Sequence, residues 1–464
     1  MTSEAPSLSA DPPRGLRVAI LARAVHRMHG YGGLERHVYD LVRHLIDRGV
    51  GVTLITRVPR QQVGSTSRAD GPARARAANG PLGDAATASL AREVFGERGP
   101  RLRLVPYLTF PFAGRRGTTV IDRSTAYLLF GYRAGRLAAR LAGSGEVDLV
   151  HGLGASALGF ALAKGPGAGI APFVFNPQGL EEFGGSDRRF GGSSLKRPAY
   201  LPLRWAVRRC ARAADRVVAT DRTLIPSVQH FLRVEHERIA LVPNAIDLPE
   251  CDRLADEPAG ARIRTAHGIG HGDVLLLSVG RLEKSKGFHV LVRSLARLPD
   301  QDWRWVLVGD GPFRPTLERL IASYRLGTRV IMAGRIPERD LHAWYEAATL
   351  FVHPTLYEGS SLVTLEAMAH RRPVVASSAG GLPDKVVDGV TGWLVRPGDD
   401  EGLADALVRA LRRRERLREL GDAGRSLVAR EFSWSVVAER TVRLYGDLLA
   451  GSRSSSLRPM PDLQ

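Results

Sequence analysis

Short β-branched apolar runs that alternate with helical stretches constrain this chain more than any other feature. Leu16-Arg17-Val18-Ala19-Ile20-Leu21 is followed by a glycine-rich loop, a helical pattern from about Gly33 to Asp47, and a second run, Val52-Thr53-Leu54-Ile55. Strand-type segments at 102–105, 147–151, 172–176, 216–220 and 239–242 alternate with helical patterns near 123–142, 155–164, 199–214 and 222–232. A second series opens at Val274–Val279 and continues through Trp305–Val308, Val330–Met332, Leu350–Val352 and Pro373–Ala376. Strands alternating with helices predict α/β domains with doubly wound, mainly parallel sheets. At about 150 residues per domain, 464 residues give two to three domains, and two is the simplest reading. The segment Pro243–Pro258, with three prolines and several acids, reads as the interdomain crossing. Residues 59–100, rich in Gly, Ala, Ser and Arg with little periodicity, read as a long insertion or mobile loop. Parallel strands carry ligand loops at their carboxyl ends, so two such domains are expected to face each other across a cleft.

The charge balance is less informative than it first looks. Lys and Arg total 66 against 48 acids, a formal +18, which suggests an anionic partner. Only Lys164, Lys196, Lys284, Lys286 and Lys385 are lysines, and the arginines are spread along the whole chain. That spread is equally well read as a product of base composition. No zinc module, recognition helix or Arg/aromatic ladder supports nucleic-acid binding. Arg204, Arg208, Arg209 and Arg212 share a helical stretch with Leu201, Trp205 and Val207, which reads either as a face for an anionic membrane or as an ordinary solvated face. Cys210 and Cys251 are the only cysteines, which excludes a disulfide framework and a multi-cysteine zinc site and leaves two thiols expected to be inert. No run reaches the roughly 18 apolar residues of a membrane helix, and Met1–Arg17 carries no signal-type apolar segment, so a cytoplasmic protein is expected, with peripheral membrane contact allowed.

Several loops could carry chemistry. His29-Gly30-Tyr31-Gly32-Gly33-Leu34-Glu35-Arg36 joins a strand to a helix, where glycines either bring backbone N–H groups to a phosphate or simply allow a tight turn. Gly280-Arg281-Leu282-Glu283-Lys284-Ser285-Lys286-Gly287 sets cations beside glycine at a strand end, which suits a diphosphate, or a solvated basic turn. Glu358-Gly359-Ser360-Ser361-Leu362 opens a helix carrying Glu366; two such carboxylates can serve sugar hydroxyls, and the helix start offers free N–H groups to an anion. As isolated acids they read as a cap and a surface residue. Asp300-Gln301-Asp302 is expected at the amino end of a strand, away from the ligand face, and reads as a polar loop. His26, His29 and His37 match no helical metal pair.

Taken together, these residues resemble the family 4 retaining glycosyltransferases of the GT-B fold. The resemblance runs from Val18 to about Leu449, apart from 59–100. It rests on Gly280-Arg281-Leu282 with Lys286-Gly287, Gly309-Asp310-Gly311-Pro312, Glu358 and Glu366 with seven residues between them, Glu366-Ala367-Met368-Ala369 and Gly380-Gly381-Leu382-Pro383. Gly32-Gly33-Leu34-Glu35, Asp148-Leu149-Val150-His151 and Pro243-Asn244-Ala245-Ile246-Asp247 match weaker family elements, with Ala245 where glycine is usual. The resemblance implies two facing Rossmann-like domains: an acceptor-binding domain over 1–245, a nucleotide-sugar domain over 246–431, a helix over 432–450 crossing back to the first domain, and a disordered tail over 451–464.

It also implies transfer of a sugar from a nucleotide diphosphate sugar to an acceptor hydroxyl of a glycan, glycolipid or small molecule, with retention and without a metal or other cofactor. Arg281 and Lys286 would hold the diphosphate, with Glu358 as the third catalytic residue. Gly32, Gly33, Gly309, Ile336, Ser360, Ser361, Leu362 and Glu366 would bind the donor, Glu366 through the ribose. His151, Gln178 and Glu181 would face the acceptor or sugar. Gln178 departs from the family, which commonly has histidine there, and Ser360-Ser361 replaces a Gly-Phe-Gly type loop. Both read as substrate tuning. A weak or silent sugar-nucleotide-binding protein, or another GT-B enzyme such as a nucleotide-sugar epimerase or a glucan synthase, is the alternative.

Overall fold

A computed structural model describes residues 15–30, 32–59, 83–108, 122, 124–165, 170–178, 180–183, 198–270, 272–299 and 303–456. Asp300, Gln301 and Asp302, residues 60–82 and residues 457–464 lie outside the described residues. The chain divides into two compact units, the first made of 1–219, 225–242 and 438–464, the second of 220–224 and 243–437.

The first unit contains β1 (Arg17–Leu21), α1 (Gly33–Asp47), β2 (Gly51–Arg57), α2 (Asp84–Phe95), β3 (Arg101–Val105), α3 (Ala126–Gly143), β4 (Leu149–Leu153), α4 (Leu158–Ala163), β5 (Phe173–Asn176), α5 (Leu201–Ala213), β6 (Arg216–Ala219), α6 (Ile225–Leu232) and β7 (Ile239–Leu241). Its sheet runs in the order β3-β2-β1-β4-β5-β6-β7, with every pairing parallel. Strands β4 and β5 are buried at every residue, as expected of central parallel strands covered on both faces.

One expectation for this unit fails. The stretch 59–100 is not wholly a loop, because its second half forms α2, which buries Thr87, Ala91 and Val94 at helical spacing. Those residues are small, so the apolar period that marks a helix was hidden. Gly96 ends the helix with φ +83°, and Phe95 stacks on Tyr39 of α1 with ring centroids 5.0 Å apart.

The second unit contains α7 (Leu248–Leu254), α8 (Glu257–Ala266), β8 (Val274–Val279), α9 (Phe288–Leu295), β9 (Trp303–Val308), α10 (Arg314–Ser323), β10 (Val330–Gly334), α11 (Glu338–Ala347), β11 (Leu350–His353), α12 (Leu362–Ala369), β12 (Val374–Ser377), β13 (Gly392–Val395), α13 (Asp400–Arg412) and α14 (Leu417–Leu427). Helix α15 (Trp434–Ser456) follows; its residues from Ala438 onward belong to the first unit. It continues past residue 450, so 451–456 are helical rather than a tail.

The supposed crossing at 243–258 also holds structure. Its acids are helix caps: Asp247 accepts from the Glu250 N–H at 3.2 Å and Asp256 from the Ala259 N–H at 2.8 Å, each with a proline in the first turn. Proline and acid at a helix start mimic a linker in sequence. Strand β13, unforeseen, adds in parallel to β12.

The second sheet runs β10-β9-β8-β11-β12-β13, all parallel. Its order reverses between β8 and β11, the kind of switch point where open α/β sheets bind ligands. A polar chain crosses it: Trp305 Nε1 donates to Ser278 Oγ at 3.1 Å, and that hydroxyl donates to the Val352 carbonyl at 2.7 Å, linking β9, β8 and β11.

At the carboxyl ends of β8, β11 and β12 the loops meet backbone to backbone. Gly287 has φ +69°, and a Cβ there would lie 1.8 Å from the Pro354 carbonyl oxygen. Gly380 has φ +53°, and a Cβ there would lie 1.7 Å from the Glu358 carbonyl oxygen. Both positions therefore demand glycine on two counts, conformation and contact. Gly380→Ala is expected to lower stability by roughly 3 kcal/mol, read from the midpoint of urea unfolding. The matched Gly327→Ala, where a Cβ meets nothing within 4 Å, should leave the midpoint unchanged; equal midpoints for the two variants would contradict the packing argument.

Candidate functional site

The loops at the switch point of the second sheet carry part of the set that the sequence singled out: Arg281, Lys286, Glu358, Ser360, Ser361, Leu362 and Glu366. The turn after β8 is tied to the loop after β11 by the Leu356 N–H to the Ser285 carbonyl at 2.8 Å and by Thr355 Oγ1 to the same carbonyl at 3.2 Å. Across this junction Lys286 Nζ donates to Glu358 Oε2 at 2.9 Å, and His353 Nε2 lies 2.8 Å from the same oxygen. Burial alone would push the Glu358 carboxyl up. The His353 hydrogen bond and the Lys286 charge outweigh it and hold the group at about 2, so Glu358 is a fixed anion that positions Lys286. Arg281 is different: its side chain is 73% exposed and rests 3.0 Å from Glu283.

Helix α12 begins beside Glu358. Ser361 caps it, Oγ accepting from the Thr364 N–H at 3.3 Å and lying 2.9 Å from Thr364 Oγ1. Leu362 is the first helical residue, and the N–H groups of a first turn have no partner inside their own helix. Ser360 turns its carbonyl toward Asn244 Nδ2, 3.5 Å away. One turn into α12, Glu366 Oε2 accepts from the Tyr345 hydroxyl at 2.8 Å. Burial first, then the neighbouring Glu366 charge, raises the Tyr345 hydroxyl well above its ordinary range, so it stays a donor. Gly309 follows β9 and its N–H donates to the Gly334 carbonyl at 2.8 Å, while Ile336 follows β10 and is half-buried.

Beneath the Glu358 loop lies an ion pair that sequence reading missed. Lys385 Nζ donates to Asp221 Oδ1, with both side chains fully buried, and also to the Gly381 carbonyl at 3.2 Å. Asp221 Oδ2 accepts from Thr220 Oγ1 at 2.9 Å. Thr223 Oγ1 donates to the Gly380 carbonyl at 2.8 Å, and the Gly381 N–H to the Gly359 carbonyl at 2.9 Å. Burial raises the Asp221 carboxyl, opposed by the Lys385 charge. Removing one member of such a pair costs about 3–5 kcal/mol, because the other charge stays buried alone. No motif marks this pair, since its members are 164 positions apart. His353 was also missed, although a histidine ending an otherwise apolar strand, Leu350-Phe351-Val352-His353, was a usable signal.

The first unit holds the remaining candidates. Gly32 precedes α1 with φ −78°, and Gly33 begins it; both are exposed. A Cβ on Gly32 would meet the Glu35 carboxylate at 2.4 Å, in the space before the helix start. His151 is buried in β4, where Nδ1 lies 2.6 Å from the Tyr445 hydroxyl and burial lowers the ring to about 3. Gln178 has φ +66°, held by its N–H donating to Asn176 Oδ1 at 2.8 Å, an Asx-type turn. Glu181 lies in the short turn Glu181–Phe183 that follows. On α5, Leu201 and Trp205 are exposed while Val207 faces inward, and Arg204, Arg208, Arg209 and Arg212 line a pocket of about 590 Å³ with Phe183 and Phe231. Among the described residues no helix is long and apolar enough to cross a membrane.

Because Glu358 sits at about 2 in the folded chain against an ordinary 4.5, its charge contributes about 3 kcal/mol of stability above pH ~4.5. That contribution is lost as the pH falls from ~4.5 toward 2. Glu358→Gln has nothing to lose there, so its unfolding free energy, from urea titrations at fixed pH, should fall less steeply across that window than wild type. Parallel slopes would refute the buried-anion assignment.

Comparison with known proteins gives the family and the fold. Residues 31–250 match the family model Glycosyltransferase Family 4, and residues 261–427 match Glycosyl transferases group 1. The chain is 32% identical over 262 residues to alpha-maltose-1-phosphate synthase of Mycolicibacterium smegmatis, covering 53% of this chain and 66% of that protein. It is 32% identical over 266 residues to the GDP-mannose-dependent alpha-(1-6)-phosphatidylinositol monomannoside mannosyltransferase of the same organism, covering 54% and 68%. The chain thus spans about two thirds of the length of these relatives. Among solved structures, Anabaena HepE in complex with UDP-glucose superposes with a TM-score of 0.62 at 20% identity, covering 95% of this chain and 100% of that one, a match of fold. The chain has the GT-B fold and belongs to the family 4 (group 1) glycosyltransferases.

Proposed function

We propose that this protein transfers a sugar, with retention of anomeric configuration, from a nucleotide diphosphate sugar to an acceptor hydroxyl. The observation that carries the reading is Lys286, held by the Glu358 carboxylate at the switch point of the second sheet. A lysine fixed there can meet the negative charge that develops on a departing nucleoside diphosphate, the moment at which electrostatic stabilisation matters most. Arg281, exposed on the adjoining turn, swings from Glu283 to the diphosphate as a forked donor. The first-turn N–H groups of α12, with Ser360, Ser361 and Leu362, face the phosphate and sugar, and Glu366, oriented by Tyr345, takes the ribose hydroxyls. Gly309 and Ile336 line the nucleotide, and Gly32 and Gly33 leave the α1 start open to the donor.

The departing phosphate accepts the acceptor's proton, so neither a protein nucleophile nor a metal enters the step. Gln178, strained and half-exposed, serves the sugar or acceptor by hydrogen bonding; its amide does not titrate. His151 shapes this region through its bond to Tyr445. A nucleotide-sugar donor agrees with the UDP-glucose bound by HepE and with the GDP-mannose dependence of the mannosyltransferase relative. The acceptor is a glycan, a glycolipid or a small molecule, and the arginine face of α5, with exposed Leu201 and Trp205, suits a peripheral approach to an anionic membrane from the cytoplasmic side.

Incubation with UDP-, GDP-, ADP- and TDP-sugars and a panel of acceptors should release nucleoside diphosphate with one donor class. Lys286→Ala or Arg281→Ala should lower that turnover by about two orders of magnitude or more, while EDTA during the assay leaves it intact. Unchanged turnover in either variant would sink the site assignment, and binding without turnover across the panel would favour a silent sugar-nucleotide-binding protein.

A further inference from the structure

Away from the switch point, the second unit gathers three soft or borderline donors in one buried spot. Cys251 of α7, His342 of α11 and His370, which caps the end of α12, place their ligand atoms within 4.8 Å of one another. Each residue is at most 5% exposed. The two imidazoles face each other, with His342 Nδ1 lying 2.8 Å from His370 Nε2. We propose that Cys251, His342 and His370 form a structural zinc site that ties α7, α11 and α12 together.

The surroundings are those of a metal-binding histidine. His370 turns its other nitrogen, Nδ1, to Glu346 Oε1 at 2.5 Å. Glu346 lies one turn beyond His342 on α11, and its second oxygen accepts from Arg372 Nη2 at 3.0 Å. A carboxylate that accepts Nδ1–H fixes the tautomer: the proton sits on Nδ1 and the Nε2 lone pair points into the cluster. With Nε2 of His370 an acceptor, the close His342 nitrogen must donate to it whenever no ion is bound. Zinc replaces that hydrogen bond.

Tetrahedral zinc with nitrogens at about 2.0–2.1 Å needs them roughly 3.3 Å apart, so the pair opens by about half an ångström. His342 moves its proton to its other nitrogen, the Cys251 thiol releases one to solvent, and a thiolate and two neutral imidazoles hold the ion. Three protein ligands leave one tetrahedral position, which water would take. A nitrogen and sulfur set of this kind favours zinc over magnesium or calcium, which require oxygen. The ion serves the fold rather than the transfer step. The His370 ring stacks on Tyr345, centroids 5.4 Å apart, and it is the hydroxyl of Tyr345 that reaches toward Glu366.

The test needs no sugar nucleotide, so its outcome is separate from that of the proposed activity. The protein, stripped with chelator, is titrated with Co²⁺ and followed by absorption. One equivalent should produce the visible ligand-field bands of tetrahedral cobalt and a thiolate-to-cobalt charge-transfer band, all bleached by added Zn²⁺. Cys251→Ser should abolish the charge-transfer band, and His370→Gln should weaken cobalt affinity at least tenfold. Cys210→Ser, which alters the buried cysteine of the first unit, should change nothing. Thermal midpoints of the wild type should rise on adding Zn²⁺, a readout independent of whether the variants fold. A stripped wild-type protein that shows neither a charge-transfer band nor a zinc-dependent midpoint overturns the proposal, as does a band that survives Cys251→Ser or disappears in Cys210→Ser.

Discussion

The candidate site depends on contact between backbones. Three loops at the carboxyl ends of β8, β11 and β12 approach so closely that no Cβ fits at Gly287 or Gly380, and the left-handed conformation at each excludes most other residues independently. Side-chain contacts adjust to a neighbour by changing rotamer, whereas peptide groups in contact have no such freedom. The position of Glu358 is therefore set by the main chain of Gly380 beneath it, and the position of Lys286 by the turn that Gly287 closes against Pro354. Lys286 and Glu358 are thus placed by the least adjustable part of the unit.

Three buried carboxylates of the second unit follow a common pattern, each meeting a cation. Glu358 answers Lys286 and accepts from His353; Asp221 answers Lys385; Glu346 answers Arg372 and accepts from His370. Desolvation opposes ionisation in all three carboxylates, and in Glu346 and Glu358 the partners prevail. The abundant arginine elsewhere behaves differently. Exposed pairs such as Arg371 with Asp422 or Arg416 with Glu419 sit in high dielectric and add little. The formal +18 is a property of the surface, whereas the site rests on a few enclosed pairs.

Much of this was legible in sequence because the carrying signals are local. Alternating runs gave the strands of both sheets, β13 excepted, to within a residue or two at most ends, and glycine beside cation at Gly280–Gly287 marked the switch-point turn. What escaped was either small or distant. Helix α2 buries Thr87, Ala91 and Val94, of which only Val94 is a strong apolar signal, and β13 has only four residues, Gly392–Val395. Asp247 and Asp256 looked like linker acids because an N-cap and a loop use the same residue types. Asp221 with Lys385, and Cys251 with His342 and His370, are brought together by the fold alone, and no spacing rule links them.

The placement of Asp221 bears on how the chain can be divided. The five residues 220–224 come from the middle of the first unit's sequence yet belong to the second unit, where they supply the counter-charge of Lys385 and the Thr223 bond to Gly380. The boundary that looks natural on the linear sequence, near residue 243, therefore cuts through a salt bridge. A gene fragment beginning there would carry every glycine of the switch-point loops and still leave a buried ammonium without its carboxylate. The second unit is compact in space but not separable in sequence, so domain exchange between relatives would have to carry residues 220–224 along with everything after 243.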